Sequence, residues 1–237
     1  MDGASLLKQY ALGQRNFASS NLLETDLIAA ELSGIDLSHS DLRQCRLGRA
    51  NFSHADFRGA DLSEALLWGT DLTESHLDRA ILRETDLTGA KLNRAQLSGA
   101  YLAKASLCGV NLAGANLAGA MLFDADLSAS DDRRTDLGGA NLQQADLSYI
   151  NLGGACLHNA NLDRAKLTRA HHGHSIQDLL FVTDFSGASL RECDLSYADL
   201  GGVNFQNADL TGADLTGTLL TDADLRGATM PDGSIHR

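Results

Sequence analysis

Three histidines, His171, His172 and His174, crowd one short stretch of this chain. Imidazoles at that density are the grouping that most resembles a set of metal ligands. A closed site needs four ligands in fixed geometry, and Asp178 is the one carboxylate at hand to join them. The stretch therefore reads as a solvated histidine-rich loop, with no metal expected. The cysteines, Cys45, Cys108, Cys156 and Cys193, share no CxxC spacing, which argues against a zinc site or a redox pair. Cys45 and Cys193 stand where alanine usually stands, so they read as core filler. The sequence has no G-x-S-x-G, H-E-x-x-H, P-loop or dinucleotide fingerprint set between a strand and a helix. Its glycine pairs fall at regular corners, where they relieve crowding in turns. Neither an enzyme nor a cofactor is expected.

The remaining charged group, Ser130-Asp131-Asp132-Arg133-Arg134-Thr135, matters because of what it interrupts. From Phe17 to Leu167 a large apolar residue returns at every fifth position, and Asp132 alone breaks the rule. The segment Asn111-Leu112-Ala113-Gly114-Ala115 shows the unit: Asn or Asp, then a Leu or Phe center, two small or polar residues, and a small residue. A helix would recur at three and four residues and a half-buried strand at two, so a period of five demands another backbone. A carboxylate left unpaired at a buried center would cost several kcal/mol. The chain is therefore expected to bulge near 131–135 and carry Asp132 to water or to an arginine.

These units resemble the A(D/N)LXX repeats of the pentapeptide repeat family. That resemblance implies an all-β fold, a right-handed quadrilateral β-helix with four pentads per coil. With centers and the small residues two before them pointing inward, each coil places four leucines on the axis. Each buried Leu contributes about 1.5–3 kcal/mol. Coils would stack at the β-sheet spacing of about 4.8 Å, pairing backbone groups from coil to coil.

Residues 1–14 lack the repeat. Ser5 to Gly13 reads as a short helix with Leu6, Leu7, Tyr10 and Ala11 on one face, a cap over the exposed edge of the first coil. The β-helix is expected over 15–168, with the break near 131–135, then an interrupting loop at 169–183, because the centers change phase between Leu167 and Phe185. The repeat resumes over 184–230, and 231–237 forms a closing tail with the sole proline, Pro231. Interruptions of a solenoid leave it as loops, and loops are where function concentrates.

Counting by twenty residues, one coil, places the pre-center residues in vertical ladders. One runs Asn16, Asp36, Asp56, His76, Gln96, Asn116, Asp136, whose side chains could hydrogen-bond along the rod. Another runs Asn21, Asp41, Asp61, Ile81, Tyr101, Met121, Asn141. It exposes an apolar column of Ile81, Tyr101 and Met121 with Phe123 alongside and Leu66 and Trp68 on the neighboring face. Contiguous apolar patches and aromatics with Met mark protein interfaces. The same count puts Asn151 over Asp131, which gathers Asp131, Asp132, Arg133, Arg134, Tyr149 and Asn151 into a second candidate protein-binding patch.

The chain carries 31 acidic residues against 19 Lys and Arg, a net charge of −12. Such a balance disfavors direct nucleic-acid binding and speaks mainly to solubility. No segment approaches a membrane span and no signal-peptide pattern opens the chain, so a cytoplasmic protein is expected. The tail 231–237 is too short to be a dimerizing helix, so a monomer is expected. The stretches Leu6–Phe17, Ala65–Gly69 and Met230–His236 resemble cyanobacterial members of the family. That likeness implies a non-enzymatic regulator of heterocyst differentiation that binds the transcription factor HetR and counters its inhibition by PatS-type peptides. The alternative within the family is a DNA mimic acting on gyrase, which would need one continuous acidic face. Arg46, His76, Lys91 and Lys166 interrupt the ladders.

Overall fold

The computed structural model describes residues 1–172 and 181–237. It is a right-handed quadrilateral β-helix built from the five-residue unit, with one helix, α1 (Gly3–Ala11), at its start. The pentad Asp61–Ala65 shows why this backbone is self-sufficient. Asp61 N donates to Ser40 O at 2.9 Å in the coil below, and Leu62 N to Ile81 O at 2.7 Å in the coil above. Glu64 N reaches Arg83 O at 2.9 Å, and Ala65 N closes the turn onto Leu62 O at 3.0 Å. The fifth amide, Ser63 N, donates to the Asp61 carboxylate at 3.0 Å. All five donors are matched, as burial of a polar backbone requires. The preference for Asp or Asn before each center thus has a local cause: the side chain caps the amide two residues on. Hydrogen bonds along the expected ladders occur at fewer points, such as Asn51 to Glu31 and Asn141 to Asn116.

Inside, Leu62, Leu82, Leu102 and Leu122 form one column, each at most 1 % exposed. The small inward positions fill the gaps, and their polar members donate to center carbonyls: Thr70 Oγ1 to Leu47 O at 2.9 Å and Cys45 Sγ to Leu22 O at 2.9 Å. Burial pushes the Cys45 thiol up to about 11 and the Cys193 thiol up to about 12. Both are the core filler the sequence implied. Phe185 stacks on Phe205 one coil later, with centroids 5.2 Å apart.

We number the four faces by their first pre-center residues: face 1 from Asn16, face 2 from Asn21, face 3 from Asp26 and face 4 from Glu31. Parallel pairs step by twenty residues through the early coils. Asn111 then pairs with Asp136, Asn116 with Asn141, Met121 with Asp146 and Asp126 with Asn151, a step of 25. A whole pentad has been extruded. Cys156 later pairs with Asp184 and His171 with Asp199, a step of 28. Both insertions leave the rod at the corner between faces 3 and 4. Paired residues therefore run to His171, past the expected loop start at 169. Residues 173–180, with His174 and Asp178, lie outside the described residues.

The ends are closed differently. Helix α1 is capped by Asp2, whose carboxylate accepts from Ser5 N at 2.7 Å. It seats Leu6 fully buried on the first coil, and a Cβ on Gly3 would meet Thr25 and Asp26. Tyr10 is half-buried and donates to Ser33 O at 2.7 Å. Leu7 and Ala11, expected on that face, are exposed instead. At the far end the tail folds back, Ile235 pairing antiparallel with Thr229, so the last edge is covered by the chain's own hairpin.

Candidate protein-binding surface

The apolar column stands where the early coils place it. Ile81, Tyr101 and Met121 pair in succession on face 2, with Ile81 and Met121 exposed and Tyr101 half-buried. Above Met121 the column meets Asp146, not Asn141, because the extruded pentad has moved every later residue by one face. The ladder of face 1 is corrected in the same way: Asn141 follows Asn116, and Asp136 belongs to face 4.

That shift also rearranges the second patch. Asn151 lies over Asp126, not Asp131, and its side chain caps Gly153 N at 3.1 Å. Tyr149 projects from the corner between faces 2 and 3, on the opposite edge of face 3 from the bulge. There it meets Phe123 edge to face, with centroids 5.3 Å apart, a favorable arrangement for two rings. The Arg169 guanidinium lies 5.8 Å from the Tyr149 ring and 5.8 Å from Tyr197, within cation–π range of both. The structure thus joins Tyr149 to the first patch and separates it from the charged bulge. Sequence reasoning missed Arg169 and Tyr197. They occupy the second turn position after their centers, as Tyr149 does, but only the 28-residue step brings Tyr197 over Arg169.

The resulting ridge climbs from Ile81 through Tyr101 and Met121 to Phe123, Tyr149, Arg169 and Tyr197. Phe123 and Tyr149 are 42 % and 43 % exposed. Leu66 and Trp68, placed beside this patch from sequence, are exposed as expected, but Trp68 lies on the far edge of face 3. Its indole covers Gly48, where a Cβ would collide with the ring.

The bulge itself divides by residue. Asp132 is 81 % exposed at its side chain, with Arg133 at 3.9 Å, so the carboxylate has left the core as expected. Asp131 and Arg133 are exposed beside it. Arg134 turns inward over the rod. It donates to Gly154 O at 3.0 Å, to Ala155 O at 3.4 Å and to Val182 O at 2.6 Å. It therefore ties the first insertion, across an intervening coil, to the end of the second. The insertions also end alike, on Thr135 and Thr183. Each hydroxyl accepts from a glycine amide below, Gly109 at 2.9 Å and Gly154 at 3.0 Å. Thr183 also donates to the center carbonyl Leu152 O at 2.9 Å, whereas the Thr135 hydroxyl lies 2.8 Å from Ser128 O and 3.2 Å from the center carbonyl Leu107 O.

Several acidic residues on the faces are ion-paired, as Asp26 is with Arg46, Asp56 with Arg58 and Asp71 with Lys91. The Arg43 guanidinium holds the Asp41 carboxyl below the usual range. Burial of Asp163 works against its charge, but bonds from Arg191 and Ser189 outweigh it and lower that carboxyl too. Among the described residues no helix is long and apolar enough to cross a membrane.

Comparison with known proteins finds a full-length likeness. The chain is 58 % identical to HetL, a pentapeptide repeat protein involved in heterocyst differentiation regulation from the cyanobacterium Nostoc sp. strain PCC 7120. The match covers 100 % of both chains with a TM-score of 0.98. QnrB1, a plasmid-mediated fluoroquinolone resistance protein, is 20 % identical over 87 % of this chain and 91 % of its own, with a TM-score of 0.37. The pentapeptide repeat protein alr5209 of Nostoc PCC 7120 is 32 % identical over 44 % of this chain and 80 % of its own, with a TM-score of 0.24. Comparison with curated proteins finds no match. The pentapeptide repeats model matches residues 12–44, 30–69, 55–94, 90–128, 133–171, 183–207 and 198–232, leaving out parts of both insertions. With the family model matching most of the chain and HetL matching all of it, in agreement with the five-residue backbone and the four-sided core, the chain belongs to the pentapeptide repeat family.

Proposed function

We propose that the chain is a non-enzymatic protein-interaction rod, acting as a cytoplasmic monomer, that promotes heterocyst differentiation by binding the transcription factor HetR and countering PatS-type inhibition. The observation that carries this reading is the end-to-end likeness to HetL, at 58 % identity with full coverage of both chains. The ridge from Ile81 to Tyr197 supplies the kind of surface such a contact needs. It concentrates aromatics, Met and Arg, the residues that dominate interface energetics. Its backbone is fixed by inter-coil hydrogen bonds, so little order has to be gained on binding.

The DNA-mimic alternative is less well supported. Face 2 carries Asp41 and Asp61, then Ile81, Tyr101 and Met121, then Asp146 and Lys166, so its charge is broken midway. Face 4 has Lys91 between Asp71 and Asp136. Arginines neutralize further acids, as at Asp56, Asp163 and Asp224.

The test is equilibrium binding of the purified chain to HetR by calorimetry, alone and with a PatS-type peptide present. The proposal expects a saturable complex and a weaker apparent affinity for HetR when the peptide competes. Absence of a complex at about 50 μM of each, a concentration at which even weak specific contacts register, would sink it; capture of gyrase instead would favor the alternative.

A further inference from the structure

Face 4 carries a departure from the repeat that the protein-interaction reading does not use. At position 156 the pre-center residue is Cys where Asp or Asn usually caps the turn. Its thiol faces the imidazole of His158 in that turn, with Sγ and Nδ1 3.1 Å apart. Directly below, Cys156 pairs with Asp136. The His158 ring lies over Gly138, where a Cβ would collide with it. Three substitutions of the common unit therefore converge: a thiol in the capping position, an imidazole in the turn, and a glycine beneath that admits the ring.

We propose that Asp136, Cys156 and His158 form a Zn2+ site. Their donor atoms all lie within 4.8 Å of one another. A tetrahedral zinc with bonds of about 2.3 Å to sulfur and about 2.0 Å to nitrogen and oxygen holds its ligand atoms about 3.3–3.6 Å apart. Two of the three ligands sit on adjacent coils whose spacing the backbone fixes, and His158 is exposed enough to swing the remaining distance. The Asp136 carboxylate has an oxygen to give, because Oδ1 accepts from Gly138 N at 2.9 Å and Oδ2 is left for metal. Thiolate, imidazole and carboxylate together suit zinc rather than calcium or magnesium, which take oxygen ligands alone. Binding converts the Cys156 thiol to thiolate and releases its proton to solvent. A water from the adjoining groove completes the fourth position.

Lys91, Arg133 and Arg134 line the groove beside these ligands. The first two are ion-paired, Lys91 at 3.4 Å from Asp71 and Arg133 at 3.9 Å from Asp132, whereas Arg134 keeps its charge because its acceptors are neutral carbonyls. Ion pairing of the first two lowers the repulsion a bound dication would meet from them.

The experiment uses the full-length, tag-free protein, reduced and stripped with a chelator, titrated with Co2+ as a spectroscopic probe and then with Zn2+. One equivalent of Co2+ should give a sulfur-to-cobalt charge-transfer band and the intense visible bands of a tetrahedral site, and Zn2+ should abolish both. Cys156→Ala and His158→Gln should each lose these bands, while Cys108→Ala and the triple variant His171→Gln, His172→Gln, His174→Gln keep them. Melting curves without metal should superimpose for all variants, which separates a lost ligand from a lost fold. Parent protein that shows no bands, or bands that persist in Cys156→Ala and vanish in the triple histidine variant, would overturn the assignment.

Discussion

Replacing Arg134 by Ala tests the view that the two insertions form one braced unit rather than two independent loops. The guanidinium makes bonds of 3.0 and 2.6 Å to Gly154 O and Val182 O and a longer one of 3.4 Å to Ala155 O. A hydrogen bond with one charged partner contributes about 1.5–3 kcal/mol. Partial hydration of the freed carbonyls of residues near the surface offsets part of the sum, which leaves a local loss of about 2 kcal/mol. In a solenoid each coil contacts only its neighbors, so the loss should stay local. Amide exchange reads it directly: about 2 kcal/mol corresponds to opening about 30-fold more often. Faster exchange is expected at Ala129 N and Ser130 N, which donate to Gly153 O and Arg133 O, and at Asp184 N, which donates to Ala155 O. Leu62 N and Leu82 N, far below, should be unchanged. Arg133→Ala, which removes one exposed pair at 3.9 Å, should leave all these rates within twofold, as weak surface pairs do. Equal exchange at 129–130 and 184 in Arg134→Ala and parent would refute the bracing.

Two further outcomes follow from the core. Leu102→Ala, which deletes a side chain 1 % exposed in the middle of its column, should destabilize the rod by about 2–5 kcal/mol in urea denaturation; a change below about 0.5 kcal/mol would mean that the column does not carry the packing. Burial holds the Cys45 and Cys193 thiols up at about 11 and about 12, so both should resist alkylation at neutral pH until the protein is unfolded. Mass-spectrometric mapping that found either one modified in the native state as fast as in urea would contradict their placement.

The column of Leu62, Leu82, Leu102 and Leu122 was legible because in unbroken coils a five-residue period and a twenty-residue coil agree. Asp132 was legible as a break because a carboxylate cannot occupy a leucine's place. The consequence of the break was not. An insertion of one whole pentad leaves the period of five intact and changes only which face each later pentad joins. Counting by twenty therefore sets Asn151 over Asp131 when it lies over Asp126, and gives Tyr149 the wrong neighbors. The 28-residue step betrayed itself through a change of phase, since it is not a multiple of five. Arg134 gave no local sign of its acceptors, which stand 20 to 48 residues ahead. Asp136, Cys156 and His158 escape notice in the sequence for a related reason: a spacing rule made for single loops does not see donors that meet across stacked coils.

In the proposed function, the ridge carrying Phe123 and Tyr149 is the surface that meets the partner. The most direct measurement is the affinity of HetR for parent, for Phe123→Ala with Tyr149→Ala, and for Arg133→Ala, at one fixed salt concentration. Removing two packed, exposed rings from an interface center should cost about 2 kcal/mol or more, roughly a 30-fold weaker complex. The melting temperature should stay close to parent, because both side chains lie outside the core, and Arg133→Ala should bind as parent does. An unchanged affinity in the double aromatic variant, with a loss in Arg133→Ala, would rule out the ridge and move the interface to the bulge.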